Sequence, residues 1–213
     1  MRKVFWLVLV FLLTLPLSLP AETLQLVPGL ALKVELPGDR WTISREAPAF
    51  LVEETAEHLG HELEAQGKKP DSAALQAAAR KRLAANEAYI FNPASGAYLT
   101  IDFSPLREGE KAPGKKAIAT SAKYAGEGLV DEEGATEVQQ KSSRSEVRGA
   151  EVAYRVDASF LMHDEPCKFV GIIGFRSPYW FYLYYTDPLR DAGDIEEMEQ
   201  ILRTLELSAA SGS

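Results

Sequence analysis

The chain has 213 residues, 23 of them basic and 31 acidic, with a formal net charge of −8. An acidic body repels phosphate backbones, which argues against nucleic acid as a partner. Its single cysteine, Cys167, leaves no internal disulfide to form, so stability must come from packing.

Residues 1–21 read as a secretory signal peptide. Arg2 and Lys3 precede an apolar run from Val4 to Leu13, and Pro16, Ser18, Pro20 and Ala21 follow. Thr14 and the prolines end that run short of the roughly 20 apolar residues a spanning helix requires, so no stable membrane span is expected after cleavage near Ala21. Glu22, not a cysteine, immediately follows Ala21, so no lipid is expected there. Cleavage leaves 21 basic against 31 acidic residues, a net charge of −10. The remaining length suits one domain over 22–207, with 208–213 as a small, polar, flexible tail.

The mature chain opens in β structure: Leu24 to Val27 and Leu30 to Leu36 flank Pro28-Gly29, and Pro37-Gly38-Asp39 turns into Trp41 to Ser44. From Phe50 to Ala65 the period becomes helical, with Val52, Ala56, Leu59 and Leu63 on one face. A second helix starts at an Asp71 or Ser72 cap and carries Leu75, Ala79 and Leu83. Tyr89 to Phe91 and Ala97 to Ser104 flank a turn at 92–96. The second of these strands puts Leu99, Ile101 and Phe103 on one side and the wetter Tyr98, Thr100 and Asp102 on the other. A charged loop, 105–114, leads to a helix bearing Ile118, Ala122, Ala125 and Leu129.

The last third is mostly strand. Val138 to Val147 is polar and serine-rich, as an edge strand or mobile ribbon would be, and Arg148-Gly149 turns it back. The next strand alternates Val152, Tyr154, Val156, Ala158 and Phe160 with polar or small residues, so one face is buried. Cys167 to Phe175 and Tyr179 to Tyr185 are apolar on both alternations, which calls for cover on both faces, and Arg176-Ser177-Pro178 joins them as a hairpin. The closing helix reads as capped by Asp194 with Glu197 three residues on, and its stripe is Ile195, Met198, Ile201, Leu202 and Leu205. Together these elements make an α+β chain: an α/β/α sandwich with a central, mainly antiparallel sheet and helices on both faces.

Three places carry a resemblance to a known group. The run Leu32-Lys33-Val34-Glu35-Leu36-Pro37-Gly38-Asp39-Arg40-Trp41, the paired strands Phe169 to Phe175 and Trp180 to Tyr185, and Tyr185-Thr186-Asp187-Pro188 leading into Ile195 to Leu205 together resemble the PsbP-like α/β/α sandwich superfamily. The resemblance spans most of the mature chain and implies a binding or scaffold fold without a shared active site.

The chemical constellations have weak spacing. Gly109-Glu110-Lys111-Ala112-Pro113-Gly114-Lys115-Lys116 nearly spells a phosphate loop. However, Lys116 replaces the magnesium-holding hydroxyl, Pro113 removes a donor, and Glu108 and Glu110 repel phosphate. Glu54, Glu57, His58 and His61 could gather donors on a helix, but His61 points away from the apolar stripe and the cluster reads as a solvated face. His163, Asp164, Glu165 and Cys167 sit in a turn between strands, where neighbours diverge. Ser142, Ser143 and Ser145 have no nearby histidine, and no nucleophile signature is present. The row Tyr179 to Tyr185 could hold an apolar or sugar-like ligand, though core packing explains it more simply. Cys167 reads as a small buried hydrophobe.

No residue is therefore assigned as catalytic, cofactor-binding or metal-ligating, and no cofactor is expected. The sequence points to an exported, periplasmic or extracellular, non-enzymatic binding or scaffold domain for an envelope protein or a small apolar ligand. The alternative is an exported hydrolase or other enzyme with a site assembled from distant residues.

Overall fold

A computed structural model describes residues 21–69, 71–132 and 134–210; the expected signal segment, Ala21 apart, lies outside them. The elements are β1 (Glu22–Val27), β2 (Leu30–Val34), β3 (Thr42–Ser44), α1 (Ala49–Ala65), α2 (Ser72–Leu83), β4 (Ala88–Phe91) and β5 (Tyr98–Pro105). They continue with α3 (Lys115–Glu127), β6 (Ala135–Ser145), β7 (Val152–Met162), β8 (Glu165–Arg176), β9 (Tyr179–Asp187), α4 (Asp194–Thr204) and β10 (Glu206–Ala209).

Seven strands form the central sheet in the order β3-β4-β5-β9-β8-β7-β6, every neighbouring pair antiparallel. The polar, serine-rich β6 is its edge, where solvated side chains discourage pairing with another chain. A second sheet, β1-β2-β10, stands apart. One face of the central sheet is covered by α1, α2 and α3, the other by α4 and the second sheet.

The α4 face is the principal core. Leu99, Ile101, Phe181, Leu183, Tyr185 and Ile172 pack there against Leu32, Val34 and Trp41 from the opening segment and against Met198, Ile201 and Leu205 of α4. On the α1–α3 face the core divides: α3 sets Ile118 and Ala122 on Ile173 and Phe175, while Val52, Ala56 and Ala79 join α1 to α2. Asp71 caps α2 as its sequence position suggests, accepting from the backbone N–H of Ala73 and Ala74 at 2.8 and 3.1 Å.

Four sequence expectations change. Ser208 and Ala209 are not a frayed tail: they pair with Ala31 and Leu30 in β10, and Leu207 is buried. The free edge of β2 needs backbone partners, and a chain leaving α4 over it supplies them; residues 211–213 lie outside the described set. The helix expected to reach Leu129 ends at Glu127 and tightens into a 3₁₀ turn, Gly128–Asp131.

Asp194 is the first helical residue rather than the cap, which is Gly193. Its fully buried carboxylate accepts from Asn92 Nδ2 at 2.9 Å and from Arg40 at 2.7 Å. Glu197 takes Trp41 Nε1 at 2.8 Å and Arg40 at 3.2 Å. Both acids are committed to tertiary partners, so the opening Arg40-Trp41 and the start of α4, two of the places behind the resemblance, are bound to each other. The fourth change concerns β9, whose two faces are not equally covered.

Candidate functional site

Alternation along a strand sends Tyr98, Thr100, Asp102 and Ser104 of β5 to the α1–α3 face. The antiparallel register sets them directly beside Thr186, Tyr184, Tyr182 and Trp180 of β9. Helix α3 lies over β7 and β8, and α1 lies over the Tyr98 end, where Phe50 meets Phe91 and Tyr98 edge-on or tilted with centroids 6.1 Å apart. Between the two helices the sheet is left partly open. Trp180, Tyr182 and Tyr184 are half-buried, whereas Phe181, Leu183 and Tyr185 on the reverse side are sealed at 0–1% exposure. The expectation of full cover on both faces therefore holds on one side only.

The open strip is a trough with an aromatic floor. Trp180 and Tyr182 stand parallel, centroids 6.3 Å apart and planes within 8°, and Tyr182 leans on Tyr184 at 6.2 Å. Its outer end widens to a cavity of about 620 Å³ between Trp180, Tyr182, Ser104 and the loop Arg107 to Glu110. The first two residues of the near phosphate loop, Gly109 and Glu110, thus stand on the rim of this cavity. Burial pushes the Tyr184 phenol up to about 12, helped by Tyr182 and Asp102. Desolvation also raises the Asp102 carboxyl, and only a backbone hydrogen bond from Phe103 opposes it.

Past the Thr100 end of the strip, and sharing no lining residue with the outer cavity, is a cleft of about 430 Å³ that brings together two clusters the sequence left apart. Glu54, Glu57, His58 and His61 of α1 line it from one side, and His163 from the turn between β7 and β8 lines it from the other. All three histidines of the protein line it. His163 (φ 50°) and Asp164 (φ 68°) are the two central residues of a two-residue hairpin closed by Met162 and Glu165, so both take the left-handed conformation of a type I′ turn. The ring is held against Gly134, whose backbone oxygen accepts from His163 N at 2.9 Å; a Cβ on Gly134 would fall 2.3 Å from the imidazole. The exposed ring could swing aside, but Gly134 also takes φ 84°, a conformation that favours glycine.

Electrostatically the cleft is mixed. Burial raises the Glu54 carboxyl, Arg190 and His163 pull it back, and the like charge of Glu57 adds to the rise. The side chain keeps more than a third of its surface in water, so this shift is small in effect. Tyr98 is pushed up to about 12 by burial and then by the charge of Glu54. His58 reaches Glu62 at 3.1 Å on the exposed side of α1.

Asp164, Glu165 and Cys167 do not converge with His163. Cys167 is buried beside Phe160 and Phe169, and its thiol is raised by burial, as for a packing residue. Among the described residues no group of three or more His, Cys, Asp or Glu is placed to hold a metal ion. Nor is any helix among them long and apolar enough to cross a membrane.

Comparison with known proteins gives fold likeness alone. No protein-family model and no curated protein matches the chain. Among solved structures it is similar to LpqN of Mycobacterium tuberculosis, a protein involved in cell envelope biogenesis, at 12% identity and a TM-score of 0.49 over 89% of this chain and 91% of that one. It is also similar to PsbP (CyanoP) of Synechocystis sp. PCC 6803, at 8% identity and a TM-score of 0.49 over 90% and 93%. No residue role passes between chains so distant.

Proposed function

We propose that the mature chain is an exported, non-enzymatic binding domain and that its ligand lies in the trough on the α1–α3 face. One observation carries this reading: a row of three large aromatic rings stays half-open in the middle of a sheet whose reverse side is sealed. Half-open rings beside hydroxyls and a carboxylate are the composition of a small-ligand site. The protein would work on the outer side of a membrane, released by cleavage near Ala21. Native mass spectrometry of the protein recovered from its own envelope fraction tests both points. The expected result is a chain shortened by about twenty residues that carries a small organic ligand, with the ligand absent from Trp180→Ala. A full-length, membrane-embedded chain would refute export. Retention of the same ligand by Trp180→Ala would move the site elsewhere.

The convergence of His58, His61, His163 and Glu54 supports a second reading, a hydrolase assembled from distant segments. Turnover of chromogenic esters, glycosides or phosphates that disappears in His163→Ala would establish it; equal rates in both proteins would retire it.

A further inference from the structure

The binding reading leaves the chemical class of ligand open, and the surroundings of Asp102 narrow it. Asp102 is directly opposite Tyr182 in the β5–β9 register, with Trp180 and Tyr184 on the diagonals. At such positions side chains lie within reach of one another, about 5 Å between Cβ atoms across the pair and 7–8 Å on the diagonal. A single carboxylate is thereby set among three aromatic rings, on the strip between the outer cavity and the inner cleft and lining neither. Among the described residues it belongs to no ion pair.

The other charges around this point are mostly of the same sign. Glu110 faces Tyr182 from the rim loop, and Glu87, at the start of β4, faces Asp102. Two cations are also present: Arg45 bonds the backbone oxygen of Gln25 and lowers the Glu87 carboxyl, and Arg107, exposed, lines the outer cavity beside Glu108 and Glu110, so the acids there outnumber it. A cation over a ring face is attracted by the ring, and the partial burial of Asp102 disfavours its charged form until a cation arrives. An aliphatic chain would use the rings but leave the carboxylate without a partner, and a neutral sugar would hydrogen-bond to it without balancing its charge.

We propose that the trough binds an organic cation, an ammonium or guanidinium group seated between Trp180, Tyr182 and Tyr184 with Asp102 as its counter-ion. This rests on the trough being the ligand site, and the two ideas can fail separately. The probes are choline, spermidine and arginine amide, together with the uncharged isostere of choline in which carbon replaces nitrogen, titrated calorimetrically into the mature domain.

At least one cation should bind at one site per chain, and the isostere at least tenfold more weakly. Asp102→Asn and Trp180→Ala should each weaken the cation about tenfold or more, with near-ultraviolet dichroism showing the fold intact. Soluble choline and phosphatidylcholine vesicles, compared by titration and flotation, separate a free cation from a lipid headgroup as its source. Equal binding of choline and isostere, lost in Trp180→Ala, would keep the trough and overturn the cation. Cation binding unchanged in both variants would overturn the trough as its seat. No binding of any of the three cations would overturn the cation proposal.

Discussion

Strand β9 carries two rows of similar hydropathy with opposite fates. Phe181, Leu183 and Tyr185 face α4 and the second sheet and are closed from water; Trp180, Tyr182 and Tyr184 face the gap between α1 and α3 and are not. The glycines of β8 mark the same difference. On the sealed side Gly174 stands opposite Phe181, and a Cβ there would fall 2.2 Å from the ring and 2.7 Å from the backbone oxygen of Val152. On the open side Gly171 stands opposite Tyr184, and its nearest obstacles are the Val156 side chain at 2.9 Å and the Phe169 ring at 3.0 Å. Alternation therefore reports that both rows prefer to leave water. What covers each row is decided by elements far away in sequence.

The sharpest way to break the comparison is to truncate one ring on each side. Phe181→Ala should cost about 3–5 kcal/mol, since a sealed ring leaves a cavity as well as lost transfer energy. Next comes Gly174→Ala, at roughly 1–3 kcal/mol from overpacking against a ring and a backbone that cannot both move. Trp180→Ala, half in water already, should cost only about 1–2 kcal/mol with an unchanged denaturant slope. Urea titrations of the three variants check the order. If Trp180→Ala proved as costly as Phe181→Ala, the trough would be closed in solution and the site would vanish with it. Removing both His58 and His61 should shift stability by no more than about 0.5 kcal/mol, as for ordinary surface changes, and calorimetric zinc titration should show no tight site.

Much of this arrangement was legible because local periodicity and its cover agree. The wetter Tyr98-Thr100-Asp102 side of β5 and the buried Val156, Ala158 and Phe160 of β7 follow from two-residue spacing, and Asp71 is the cap of the two the sequence offered; at the start of β7, however, Ala153 is buried while Val152 and Tyr154 are only half so. Contacts between distant segments were not legible. Nothing local joins His163 to His58 across a hundred residues, or shows that Asp194 serves Arg40 and Asn92 rather than its own helix. Ser208 and Ala209 looked like the start of a tail because a four-residue strand has too few alternations to register, and its partner β2 lies at the other end of the chain.

The smallest expected effect tests the open side by pH. Burial raises the Asp102 carboxyl above its ordinary 3.8, so between that value and the raised one the folded protein holds more of a proton than the unfolded chain. Stability then falls as pH rises through this window and stays lower above it, the reverse of a carboxylate held by a cation. Asp102→Asn removes that decline. The variant should equal wild type at the acid end of the window and be slightly the more stable at neutral pH, as measured by urea unfolding in matched buffers across the range. A bound cation would invert the pattern, because it favours the charged carboxylate: with saturating ligand, wild type should overtake Asp102→Asn above the window. A variant less stable than wild type at neutral pH without ligand would mean that Asp102 already has a stabilising partner in the folded chain. The row of rings beside it would then be a packed surface rather than half of a site.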